Sequence, residues 1–249
     1  MQAQHTDGPF RVLWIGDPDV LPGSVHRSGT QGFAVANNGP GDLRDTLVPP
    51  GGEGLSALSR AVAEMERGAT SRFGRVIGAM AIRYVAVPAQ PGPGSGDRNL
   101  PPDQDDRVVS ALGGQLDLRE IPVEPGLHLY ENVAWIPQRS PVTTFGPGVA
   151  RASAGSGPVL WSQEYSGSWE ARTRSGTLDH RRVLGWANGF VSPTDEPVSI
   201  SFGRQWLRWP MLFIEAVIIA GVAWQALRRG RRARRARQRA NAATTGVGS

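Results

Sequence analysis

The chain is 249 residues long, has no cysteine, and takes all 27 of its basic side chains from arginine. The missing thiols exclude disulfides, thiolate nucleophiles and thiolate metal sites. Eight arginines crowd into residues 228–239, and without them the formal charge falls from +5 to −3, so the basic balance belongs to one short tail and nucleic acid is not an expected partner.

In chain order, residues 1–9 are expected to be disordered, and the first element is a strand. From Phe10 the run FRVLWIG is short and apolar and stops at Asp17-Pro18-Asp19. Beyond a Gly/Pro-rich passage, Leu55, Leu58, Val62 and Met65 recur at spacings of 3, 4 and 3, one face of an amphipathic helix that Gly68 should stop. IRYVAV reads as a second buried strand, and residues 88–102, PAQPGPGSGDRNLPP, as a mobile loop. DQDDRVVSALGG predicts a helix with acidic residues in its first turn, and LDLREIPVEPGLHLYENVAWIP two strands joined by a Pro-Gly turn. This alternation predicts a layered α/β domain over 10–140. A linker at 141–157 should follow. Residues 158–205 carry short alternating segments between turns, with no helical period, and predict a small antiparallel β-sandwich unit.

The chain then turns apolar. Residues 210–227 contain one charge, Glu215, and are 18 residues long, about the minimum for a hydrocarbon core roughly 30 Å thick. Trp206, Trp209 and Trp224 suit the two headgroup levels, and Pro210 falls in the first turn, where its missing N–H costs nothing. A single C-terminal transmembrane helix over 206–227 is expected. Arg228, Arg229, Arg231, Arg232, Arg234, Arg235, Arg237 and Arg239 follow it, in a basic tail at 228–249 that should stay cytoplasmic, with some attraction to anionic membrane lipid. Residues 1–205 then lie outside. Because the first residues show no signal-peptide pattern, that orientation implies the C-terminal piece of a larger polytopic protein, in preference to a tail anchor. A carboxylate at depth is costly, so Glu215 should face neighbouring helices.

Candidate chemistry is sparse. Asp17 and Asp19 form a D-x-D at a strand end, where two hard carboxylates on one turn can hold a divalent cation against a diphosphate. The competing reading is an ordinary strand-ending turn. His26, His128 and His180 lack zinc spacing, and Ser24, Ser28 and Ser162 lack a nucleophile-elbow setting. GPGSG at 92–96 precedes neither a lysine nor a helix. Trp161, Trp169 and Trp186 offer faces on which sugar rings stack, although such residues also suit a small core. No cofactor and no metal are expected.

Four segments in order, VLWIGDPDVLP, GATSRFGRVIGAMAIRYVAV, LREIPVEPGLHLYENVAWIP, and SGSWEARTRSG with GWANGF, resemble the extracytoplasmic C-terminal region of large polytopic, family 2 glycosyltransferase-like membrane proteins of GC-rich Gram-positive bacteria. The LYEN-x-A-x-x-P and W-x-A elements are similar to those of YfhO-type membrane proteins. The resemblance spans about residues 10–227. It implies a non-catalytic, membrane-anchored accessory domain of a cell-envelope glycosyltransferase or polysaccharide-assembly system, because the catalytic domain of such proteins lies N-terminal to this region. Tyr130, Glu131, Asn132 and Trp169 match the motifs as structural positions, and no catalytic residue carries over. The implied partners are a polytopic membrane glycosyltransferase, or the missing N-terminal part of the same protein, and envelope polysaccharide. Two rivals stand beside this: a metal-dependent glycosyltransferase using Asp17 and Asp19, and a membrane-anchored carbohydrate-binding module using the tryptophans.

Overall fold

The computed structural model describes residues 9–28, 31–38, 52–89, 104–146, 149–152, 157–192 and 196–203, and further on 213, 217–219 and 224. Met1–Ser201 forms one compact unit and Phe202–Ser249 a second. The fold is mixed α/β and rich in antiparallel sheet.

Strands β1 (Arg11–Gly16), β2 (His26–Ser28), β3 (Gln31–Asn37), β4 (Ile82–Pro88), β5 (Leu118–Ile121) and β6 (Leu127–Asn132) form one sheet in the order β2-β3-β1-β4-β6-β5. β1 and β4 pair in parallel, and the other neighbours are antiparallel. A parallel pair needs a long connection. Here it is spent on β2, β3 and two helices, α1 (Glu53–Glu66) and α2 (Phe73–Gly78). Leu13 and Ile15, two apart on β1, and Val85 and Val87, two apart on β4, share a core with Leu58, Val62 and Met65 of α1. Val108 and Leu112 of α3 (Gln104–Gly113) complete it. α1 ends as its sequence requires: Gly68 takes φ +68°, and its N–H donates to the Met65 carbonyl at 2.9 Å.

A second, five-stranded antiparallel sheet has the order β12-β13-β9-β7-β8, from β7 (Arg139–Gly146), β8 (Val149–Ala152), β9 (Pro158–Glu164), β12 (Asp179–Val183) and β13 (Ala187–Val191). A third holds β10 (Trp169–Thr173) between β11 (Gly176–Thr177) and β14 (Ser199–Phe202). The period of two on β9 divides its side chains between two cores. Leu160 enters the main core, and Ser162 donates its hydroxyl to the Ala79 carbonyl. Val159 and Trp161 instead join Ala171, Phe190 and Val198 in a smaller one.

Two differences from the expected organisation follow. Most of the expected linker, 141–157, is strand, because the glycines and prolines there punctuate the paired strands β7 and β8. Nor do 10–140 and 158–205 keep separate cores, since Leu160, Val183, Trp186 and Ala187 belong to the main core.

All but Pro9 of the expected disordered residues 1–9, most of the 88–102 loop and the arginine tail at 228–249 lie outside the described residues. So does the expected span at 206–227, with Trp206, Trp209, Pro210 and Glu215, apart from Phe213, Val217, Ile218, Ile219 and Trp224. Those five are helical and exposed. No helix among the described residues is long and apolar enough to cross a membrane.

Candidate functional site

A cleft of about 280 Å3 lies where β1, β3 and β4 meet the first turns of α1 and the end of β9. Val35, Leu55, Leu58, Met80, Ile82 and Trp186 give it apolar walls, while Arg11, Ser24, His26, Gln163 and Glu164 bring polar groups to the same lining. An apolar hollow with a few convergent polar groups is the usual form of a small-molecule site.

Arg11 opens β1 at a point where the register with β4 shifts between Arg11 and Val12, an irregularity of the kind that re-aims side chains beside sites. Its Nη1 donates to the Met80 carbonyl at 2.9 Å and its Nη2 to the Ser162 carbonyl at 2.8 Å. No carboxylate among the described residues pairs with it, and burial alone pushes its pKa down to about 10, so the group remains a cation at neutral pH. Ser24 contributes a buried hydroxyl with no hydrogen-bond partner among the described residues. His26 sets its ring against Phe33, with centroids 5.5 Å apart, and burial lowers its pKa from the ordinary histidine value.

Glu164 is the other charge in the lining, and its oxygens are already engaged. Oε1 accepts the Glu53 N–H at 3.0 Å and Oε2 the Gly54 N–H at 3.1 Å, which caps α1 from another strand and sets a carboxylate against the positive end of the helix. Gly52 and Gly54 permit this approach. A Cβ on Gly52 would lie 2.7 Å from the Glu164 carboxylate, and one on Gly54 2.8 Å from it and 3.2 Å from the Trp186 ring.

A second polar cluster surrounds α2 and is closed. Asp117 accepts the N–H groups of Gly74 and Arg75 at 3.0 and 2.7 Å, and Gln115 accepts that of Phe73 at 2.9 Å while donating to the Thr70 and Ala111 carbonyls. Asn132, fully buried, donates to the Gly74 and Ile82 carbonyls and accepts the Ala134 N–H. Tyr130 is buried with its hydroxyl on the Val109 carbonyl, and Glu131 pairs with Arg83 at 3.7 Å and with Arg119. Of the LYEN residues, Tyr130 and Asn132 thus bond backbone groups, while Glu131 pairs with arginine side chains.

The remaining candidates are dispersed. Asp17 closes a turn, its Oδ1 accepting the Asp19 N–H at 3.0 Å, and Asp19 faces Arg27 at 3.6 Å, so the D-x-D takes the strand-ending form. No cluster of three or more His, Cys, Asp or Glu side chains placed to hold a metal ion occurs among the described residues. Trp161 and Trp169 meet edge to face at 5.4 Å against the smaller core, whereas Trp186 is buried in the main core and lines the cleft. The three make no common platform. His128 faces Glu120, and His180 stacks on Phe190 with Nε2 3.0 Å from Asn188 Oδ1. Gly92 to Gly96 lie outside the described residues.

Sequence reasoning missed Arg11 and Glu164. The one local signal for Arg11 was a cation inside an apolar strand run, and for Glu164 there was none, because its role depends on a helix 110 residues away in the chain. No protein-family model, curated protein or solved structure matches this chain.

Proposed function

We propose that this chain is a non-catalytic, membrane-anchored binding module outside the cytoplasmic membrane, an accessory part of a cell-envelope glycosyltransferase or polysaccharide-assembly system. The observation that carries the binding role is the cleft beside Arg11, with apolar walls and donors left open. The envelope setting is supported by the apolar stretch at 206–227 running into eight arginines, and by the resemblance of the ordered motifs. In this reading residues 158–205 lead in sequence to the span. The partner is a polytopic membrane glycosyltransferase, or an N-terminal part of the same protein, and the arginine tail lies inside.

Two measurements test it. Reporter fusions at Ser249 and within the 88–102 loop should report opposite compartments, and the same compartment for both would refute the topology. The full chain in lipid nanodiscs with Mn2+ and nucleotide sugars should show no turnover. Turnover lost on Asp17→Ala would instead establish the metal-dependent glycosyltransferase.

A further inference from the structure

Resting on the reading of the cleft as a binding site, its ligand follows from the charge count. Arg11 has five N–H donors. Two go to the Met80 and Ser162 carbonyls, which leave three donors over and no carboxylate in contact with the guanidinium among the described residues. An unpaired cation in an apolar hollow is costly unless something supplies its counter-charge, and the planar guanidinium fork matches a carboxylate with two parallel bonds. Ser24 adds a buried hydroxyl without a partner among the described residues.

Glu164 sets the upper limit on ligand charge. It lies two residues beyond Ser162 on β9, about 7 Å of strand, and lines the same cleft with its own negative charge. One guanidinium neutralises one negative charge. A dianion such as a phosphate monoester would keep a second, uncompensated charge near Glu164. The walls of Val35, Leu55, Leu58 and Ile82 offer no hydrogen bonds to a polyhydroxylated body, and a volume of about 280 Å3 suits a compact one.

We propose that the cleft binds a compact monocarboxylate with an apolar body, its carboxylate on the remaining Arg11 donors and the Ser24 hydroxyl, its body against Leu55, Leu58, Ile82 and Trp186. The class is that of short branched or aromatic acids.

Isothermal titration of the full chain in lipid nanodiscs, with phenylacetate and with phenylacetamide, tests this on one body with and without its charge. Phenylacetate should bind at least tenfold more tightly than the amide. Arg11→Gln should bring the acid down to the affinity of the amide, and Leu55→Trp, which fills the cleft and leaves the Arg11 bonds alone, should abolish both. If Arg11→Gln fails to fold, Ser24→Val, which breaks no described bond, should weaken the acid several-fold and leave the amide unchanged. Equal binding of acid and amide, or a preference that survives Arg11→Gln and Ser24→Val, overturns the ligand class and leaves the cleft a binding site. Binding of neither compound to folded wild-type chain overturns both.

Discussion

Two polar clusters sit near helix N-termini in this fold, and they differ in what they leave open. Around α2, the side chains of Gln115, Asp117 and Asn132 are matched to backbone groups, acceptor to N–H and amide to carbonyl. Near α1, Glu164 closes the helix end, yet among the described residues Arg11 has no carboxylate in contact and Ser24 no hydrogen-bond partner, both on one cleft. A buried polar cluster that satisfies itself is architecture. One that leaves donors open beside an apolar hollow has the form of a ligand site, the role proposed for it here.

The largest effect should come from the closed cluster. Asn132→Ala leaves two carbonyls and one N–H without partners in the core, at about 1–3 kcal/mol each, so chemical denaturation should show a loss of roughly 3 kcal/mol or more. Any molecules that stay folded should bind ligand normally. Gly54→Ala comes next, because its Cβ would press on Glu164 and Trp186 together. Overpacking of this kind costs about 1–3 kcal/mol, and displacing Trp186 should also weaken ligand binding, so stability and affinity should fall together here.

Glu164→Gln keeps the shape of the cap and removes its charge. Stability should fall by about 0.3–1 kcal/mol, while the affinity for phenylacetate should rise because a like charge has left the lining. An unchanged affinity would mean that Glu164 is electrically remote from the ligand. The smallest effect is a pH dependence from His26, whose folded pKa burial holds below the ordinary value. The unfolded chain then binds more protons between the two pKa values, so this contribution is fully present above the unfolded pKa, about 6.5, and declines as pH falls through the window beneath it. Comparing wild type with His26→Phe in denaturant melts at pH 7.5 and pH 5 should show the smaller pH sensitivity in the variant.

Local pattern carried the elements whose signal is local. The spacing of Leu58, Val62 and Met65 with Gly68 located α1, and the Pro-Gly turn located the β5–β6 pair, where Gly126 takes φ 103°. β2, β3 and α2 escaped notice. β3 offers only Phe33, Ala34, Val35 and Ala36 as an apolar run, and the six-residue α2 is held by Asp117 and Gln115, more than 40 positions away. The linker assignment failed for a related reason, since glycine and proline mark hairpin turns as well as domain boundaries. The same logic governs the site. Asp17 and Asp19 stood out because they are two apart in the chain, and the structure spends them on a turn. Arg11, Ser24 and Glu164 are distant in sequence and meet only through the packing of two sheets and a helix.

The contrast between a closed cluster and an open cleft is tested most directly by the thermal unfolding of the full chain in lipid nanodiscs with phenylacetate at 100 times its dissociation constant. A ligand that binds only the folded state should add about 2.7 kcal/mol at that concentration. The account predicts this gain for wild type and for folded Asn132→Ala, and no gain for Leu55→Trp. An equal gain in Leu55→Trp, or none in wild type, would contradict it.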